Sequence, residues 1–163
     1  MAKRLRVGWF SFTCCEDSSI IFLELMNKHF FEWKKQIDFR YCKMLQSRNI
    51  LDQLDVAFVE GAISNDQDKA MLLDIRSKSK YVVAIGSCAC IGYPSAQRND
   101  FSGPLKAKIT PFLQKWNLYA NVQRLDQIIP LDDRVDGCPM AESVFLRVLQ
   151  KYLAEFVSPV APG

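Results

Sequence analysis

Three short apolar runs constrain the fold of this chain more than anything else in it. They are Leu5-Arg6-Val7-Gly8-Trp9-Phe10-Ser11-Phe12, Val56-Ala57-Phe58-Val59 and Tyr81-Val82-Val83-Ala84-Ile85. A strand with one face in water alternates apolar and polar residues, whereas a strand covered on both faces reads as a nearly continuous apolar run. These runs are of the second kind. The first two lead into segments whose apolar residues recur at helical spacing: Ile21, Phe22, Leu25, Met26, His29 and Phe30 within Ile20 to Trp33, then Ala70, Leu72, Leu73 and Ile75 within Asp66 to Lys78. Strand, helix, strand, helix implies an α/β fold, an open parallel sheet with right-handed crossovers and helices on both faces.

The remaining segments fit that frame. Ile37 to Leu45 reads as a further strand holding Cys42, a small buried hydrophobe there. Asn49 to Leu54 reads as a short helix or turn, and residues 92–104, with Gly92, Pro94, Gly103 and Pro104, as a loop. Leu105 to Trp116 reads as a helix that Pro111 interrupts or restarts. Ile128-Ile129-Pro130 and Val135 read as short extended pieces, Gly137-Cys138-Pro139 as a turn, and Ala141 to Val157 as a last helix. Residues 1–157 then form one domain and Ser158 to Gly163 a tail. Asp17, Ser18 and Ser19 are each suited to cap the first helix. His29, the only histidine, lies about three turns from the nearest cysteines and reads as a packed helix residue.

A net charge of +3 is too small to argue for nucleic acid. No stretch has the length and apolarity of a membrane helix. The first strand begins so soon after Met1 that a signal peptide has no room, which places the chain in the cytoplasm. There, six cysteines read as metal ligands or core residues rather than disulfides. Cys14, Cys15, Glu60 and Cys88 all fall just after a strand. Sites in such sheets form beyond the carboxyl ends of the strands, so these residues converge on one edge. With Cys138 there are four thiols, enough for a cubane iron–sulfur cluster, and Gly86 and Gly137 let backbone approach it. Structural zinc favours Cys-x-x-Cys knuckles, which are missing here. A phosphate-cradling flavin loop would hold Ser, Thr and Gly where this chain has cysteines and acids. A thiol phosphatase would need an Arg closely following its Cys, and a redox-sensing thiol pair remains open.

Taken together, Cys15-Glu16, Phe58-Val59-Glu60-Gly61-Ala62-Ile63, Ala84-Ile85-Gly86-Ser87-Cys88-Ala89 with Gly92, and Gly137-Cys138-Pro139 resemble the small subunits of nickel–iron hydrogenases and the 20-kilodalton subunit of respiratory complex I. The resemblance runs from Val7 to about Leu149 and implies a flavodoxin-like fold with one proximal [4Fe-4S] cluster. It carries Cys15, Cys88 and Cys138 over as ligands. Hydrogenases mostly place a further Cys where this chain has Phe12, whereas complex I subunits have two adjacent cysteines, which makes Cys14 the fourth ligand. Cys90 competes for that place and is read as a neighbour of the cluster. Glu60 in Val-Glu-Gly-Ala-Ile is similar to hydrogenases. The resemblance therefore implies electron transfer beside a large subunit that holds the nickel–iron centre, with onward passage to a further iron–sulfur or flavin subunit. Nothing after Cys138 offers ligands for a second cluster. Glu16 and Glu60 become candidate proton-handling groups, with solvated or capping carboxylates as the plain alternative. Tyr93, Pro94 and Phe101 become candidate contacts with the large subunit.

Overall fold

The computed structural model of the protein describes residues 3–156. The end of the last helix at Val157 and the tail 158–163 therefore lie outside the described residues. Five parallel strands form one sheet in the order β2-β1-β3-β4-β5. They are β1 (Leu5–Ser11), β2 (Ile37–Cys42), β3 (Leu54–Glu60), β4 (Ser79–Ile85) and β5 (Asp133–Val135). Helix α1 (Asp17–Gln36) crosses from β1 to β2, and α2 (Asp66–Lys78) from β3 to β4. A single short turn, α3 (Gly86–Ile91), follows β4; α4 (Gly103–Lys115) and α5 (Glu142–Phe156) complete the chain.

The continuous apolar runs are explained by two cores, one on each face of the sheet. Odd-numbered β1 residues Leu5, Val7 and Trp9 join Val56 and Phe58 of β3 and Val83 and Ile85 of β4 beneath α1 and α5. The opposite faces of the same strands, Phe10, Ala57, Val59, Val82 and Ala84, pack with Leu72 and Ile75 of α2 and Ala89 of α3. Aromatic rings dominate the first core: Trp9 stacks on Phe22 at 4.3 Å, and Phe145 of α5 meets Phe58 edge-on at 5.3 Å. Burial of both faces of each central strand at roughly 25 cal/mol per Å² of apolar surface is what holds this sheet together. His29 is half-buried and stacks on Trp33, as a packed helix residue should.

Several expectations need correction. Ile128 to Pro130 is not extended; a 3₁₀ turn at Leu125–Gln127 leads into it, and Leu125 and Ile129 plug the second core from that turn. Asn49 to Leu54 contains no helix, and β2 ends at Cys42 rather than Leu45. Beyond Cys42 the chain curls back over the free edge of β2, where Gln46 Nε2 donates to Phe39 O and Ile50 N to Arg40 O. That return covers an edge strand that would otherwise offer open backbone groups. Helix α4 runs unbroken through Pro111.

The sheet order places the reversal of winding between β1 and β3, because β1 leads outward to β2 while β3 leads the other way to β4 and β5. A crevice forms outside the carboxyl ends of the strands at such a point. Here the two emerging loops are tied across it: Thr13 N donates to Ala62 O at 3.0 Å and Ala62 N to Thr13 O at 2.9 Å. Gly61, at φ 91°, makes that crossing; a Cβ there would lie 2.8 Å from the Phe12 backbone.

Candidate functional site

The loops leaving β1, β3, β4 and β5 meet at one edge of the sheet. Cys14, Cys88 and Cys138 line one narrow cavity there, together with Asp17, Glu60, Gly86 and Gly137. Cys15 sits on its outer side. The Sγ atoms of Cys15 and Cys138 and a carboxylate oxygen of Asp17 all lie within 4.8 Å of one another. Cys88 is buried, Cys14 is half-buried, and Cys15 and Cys138 are exposed. A set with two thiols inside and two at the surface would present a bound group at the protein's edge.

The other two cysteines point elsewhere. Cys42 is buried in the first core. Cys90 belongs to the second core, with its Sγ directed at Ala84 O, while Cys88 packs with Ala62, Ala96, Val122 and Cys14. Two residues apart on one helical turn, Cys88 and Cys90 face nearly opposite ways. The expectation that Cys90 neighbours a cluster is therefore not met by its side chain, which is packed away from the other thiols.

Backbone and hydroxyl groups fix these loops. Ser87 N donates to Gly137 O at 2.8 Å, and Asp136 Oδ1 accepts from both Ser87 Oγ and Gly137 N, so the Cys88 and Cys138 loops are one unit. Met140 N donates to Ser18 Oγ at 3.1 Å, joining that unit to the start of α1. Gly137 has φ 121°, and a Cβ on it would fall 2.4 Å from Pro139 O. A Cβ on Gly86, at φ 78°, would fall 2.9 Å from Ser18 Oγ. The site needs glycine at both places. Ser95 Oγ lies 3.1 Å from Cys88 Sγ and 2.9 Å from Thr13 O.

Glu60 is only 2% exposed and closes the start of α1 from a distance. The residue preceding that helix is Glu16, in the left-handed region at φ 62° with no side-chain cap. Neither Asp17 nor the serines cap the helix as the sequence suggested. Instead the Glu60 carboxyl accepts from Ser18 N at 3.1 Å and from Ser19 Oγ at 2.6 Å, and Trp9 Nε1 donates to Ser19 Oγ at 2.9 Å. Burial pushes the Glu60 carboxyl above its ordinary value, and the hydrogen bonds from Ser19 and Ser18 oppose the rise. Glu16 is exposed and lines, with Cys15, a cleft of about 660 Å³ between α1 and α2. The structure thus brings Cys14, Cys15, Glu16, Glu60, Cys88 and Cys138 to one edge.

Sequence reasoning missed the parts played by Asp17, Ser19 and Ser95. Asp17 Oδ2 accepts from Cys138 Sγ at 3.4 Å across 121 positions of sequence, and this bond pushes the Cys138 thiol up to about 11. Burial, with Glu60 beside it, pushes the Cys14 thiol up to about 12. A thiol must give up its proton before it can ligate a metal, so both shifts oppose ligation until a cation is present. Four thiols from three segments, with glycine at both close approaches, are a donor set of the kind that holds iron–sulfur clusters.

The sequence matches the family described as NADH ubiquinone oxidoreductase, 20 Kd subunit, over residues 14–152. Among curated relatives, one subunit of the F420-non-reducing hydrogenase of Methanothermobacter marburgensis is 24% identical over 94% of this chain and 54% of its own length. The delta subunit of sulfhydrogenase 2 of Pyrococcus furiosus is 25% identical over 96% of this chain and 65% of its own. This chain spans about half the length of the first of these relatives and about two thirds of the second. One subunit of the NADH-quinone oxidoreductase of Azobacteroides pseudotrichonymphae is 34% identical over 57% of this chain and 39% of its own length. Among solved structures, a chain of an NAD+-reducing [NiFe]-hydrogenase in its H2-reduced state superposes with a TM-score of 0.81 at 21% identity, covering 98% of this chain and 96% of its own. That likeness shows a shared fold. The match over residues 14–152 embraces every cysteine together with Glu16 and Glu60: the chain belongs to the family of the 20-kilodalton subunit of NADH ubiquinone oxidoreductase.

Proposed function

We propose that this chain is the electron-transfer small subunit of a cytoplasmic [NiFe] hydrogenase. In this reading Cys14, Cys15, Cys88 and Cys138 hold one [4Fe-4S] cluster, and the nickel–iron centre lies in a separate large subunit. The observation that carries it is the convergence of four thiols from three separate segments on one sheet edge, with Cys42 and Cys90 turned into the two cores. With only these four thiols at the edge among the described residues, one cluster is the complement. When bound, such a cluster takes up and releases one electron at a time.

The chain's own residues have distinct tasks. The Asp136–Ser87–Gly137 bonds keep the Cys88 and Cys138 loops in register. Glycine at 86 and 137 allows close backbone approach. Cys15 and Cys138 face outward, toward the large subunit or a further iron–sulfur or flavin partner. Glu60, buried with a raised carboxyl and held by Ser19, would hold or release a proton at the inner wall, and Glu16 lines the outer rim. The names of the hydrogenase relatives support this reading.

The test is anaerobic co-expression with a hydrogenase-type large subunit from the same genome, followed by nickel, iron and sulfide assays and hydrogen-dependent dye reduction. Nickel in the partner together with hydrogen activity is expected. Iron and sulfide without nickel or hydrogen activity would reject the hydrogenase assignment. That outcome would favour a complex I type subunit or a catalytically silent adaptor, a reading that the adjacent Cys14-Cys15 pair and the 34% local identity to an NADH-quinone oxidoreductase subunit already favour. Glu60→Gln should slow hydrogen turnover while leaving iron content intact.

A further inference from the structure

Helix α4 stands apart from both cores: none of its residues is buried. Leu105, Ile109, Phe112 and Trp116 follow one another at four, three and four positions, which puts them on one stripe. Phe112 is 55% and Trp116 58% exposed, and their rings lie 5.9 Å apart. The charges of this segment are all positive: Lys106, Lys108 and Lys115, with no acid between residues 103 and 116.

The stem of the helix is held firmly. Arg98 Nη2 donates to Tyr119 O at 2.8 Å, and Asn99 and Val122 exchange two hydrogen bonds. Tyr119 N donates to Ser64 O at 2.7 Å, just beyond β3. The helix is therefore rooted at the carboxyl edge of the sheet, the edge that carries the thiols. Isolated helices of this length are marginal in water, and Pro111 removes a hydrogen bond within it. A marginal helix with an exposed apolar face and no buried residue calls for packing on another chain.

We infer that α4 is a docking helix that lays its Leu105–Trp116 stripe into an apolar, carboxylate-rimmed groove of the partner protein facing the thiol edge. The inference rests on the reading of that edge as a place of electron exchange between proteins. The charge complement of three lysines without an acid calls for carboxylates on the rim, and anchors one helical turn apart are the form in which amphipathic helices enter protein grooves. Ala96 and Val122, which flank the excursion that carries α4, pack with Cys88, so the stripe is continuous with the edge where the thiols would meet a protein partner, and this favours a protein over a lipid surface.

The test compares the wild-type chain with Phe112→Ala/Trp116→Ala and with Lys106→Glu/Lys108→Glu/Lys115→Glu. Each is co-expressed and purified anaerobically with a hydrogenase-type large subunit from the same genome. Iron and sulfide content and far-UV circular dichroism are read alongside the dissociation constant. Two buried aromatic anchors imply a loss of roughly 100-fold or more in affinity for the first variant, with iron and sulfide unchanged. The triple lysine variant should bind more weakly, and its affinity should rise with salt where that of the wild type falls. Unchanged affinity in both variants would overturn the inference while leaving the cluster reading intact. Sedimentation of the wild-type chain with vesicles containing phosphatidylglycerol, abolished by the same substitutions while the protein complex persists, would overturn it in favour of a membrane surface. Absence of iron and sulfide from a wild-type complex that still weakens on loss of Phe112 and Trp116 would reject the proposed function and sustain the docking helix.

Discussion

Ser19→Ala offers a test that can be worked through from distances. The Ser19 hydroxyl donates to Glu60 Oε2 at 2.6 Å and accepts from Trp9 Nε1 at 2.9 Å. Glu60 and Trp9 are each 2% exposed, so little water reaches the two groups left behind. Leaving the indole N–H unpaired costs about 1–3 kcal/mol, and removing a bond to a charged carboxylate about 1.5–3 kcal/mol. Glu60 keeps the bond from Ser18 N, which limits the second figure. The sum is about 3–4 kcal/mol, or about 10 °C in Tm for a domain of this size. The loss also depends on pH. Burial raises the folded carboxyl above its ordinary 4.5, so the stability it lends at low pH is lost as pH rises through the folded value. Removing a donor to the ionised form raises that value further, and the variant should lose more at pH 7 than at pH 4. The assay is urea unfolding of the metal-free, reduced protein at both pH values, with Ser11→Ala as the control. Ser11 Oγ is 3.3 Å from Ser19 Oγ and half-buried, so its removal should cost under about 1 kcal/mol. A Ser19→Ala loss as small as that of Ser11→Ala would refute the reasoning.

Further outcomes follow from other contacts. Arg6 donates to the buried Asp55 carboxylate through its backbone N, Nε and Nη2. Burial alone would push that carboxyl up, but the Arg6 bonds outweigh it and hold it below its ordinary 3.8. This stability is present above 3.8 and lost as pH falls through the depressed folded value. Asp55→Asn should therefore cost about 2 kcal/mol at pH 7, and urea midpoints of variant and wild type should draw together near pH 2. Gly137→Ala, which forces a Cβ to 2.4 Å from Pro139 O, should lower iron content, whereas Gly103→Ala, with nothing within 4 Å, should not. Ser95→Ala removes a hydroxyl whose one proton is within reach of both Cys88 Sγ at 3.1 Å and Thr13 O at 2.9 Å. Where it donates to the sulfur, at about 1 kcal/mol in favour of the reduced state, anaerobic potentiometry should read a potential about 40 mV lower.

The central strands were legible because burial on both faces leaves a continuous apolar run, and β1, β3 and β4 are such strands. From the alternation of strands and helices the carboxyl-edge position of Cys14, Cys15, Glu60 and Cys88 could be read. Other features depend on distant partners. Ile128 to Pro130 has the residues of a strand, but Leu125 and Ile129 are drawn into the second core as a turn. Glu60 accepts from α1 across more than 40 positions, so no local pattern announces it. Asp17 looked like a helix cap because Asp often is one; its carboxylate in fact meets Cys138. The separation of Cys88 from Cys90 required the single turn of α3, too short to show helical spacing in sequence.

The most direct measurement is iron and sulfide content, with electron paramagnetic resonance of the reduced state, across six single Cys→Ser variants of the anaerobically purified complex. Loss of the cluster signal in the variants at Cys14, Cys15, Cys88 and Cys138, with about four irons and four sulfides per chain retained at Cys42 and Cys90, is the expected result. Retention of a full cluster in the Cys14 variant together with its loss in the Cys90 variant would contradict the four-thiol edge on which the proposed function stands.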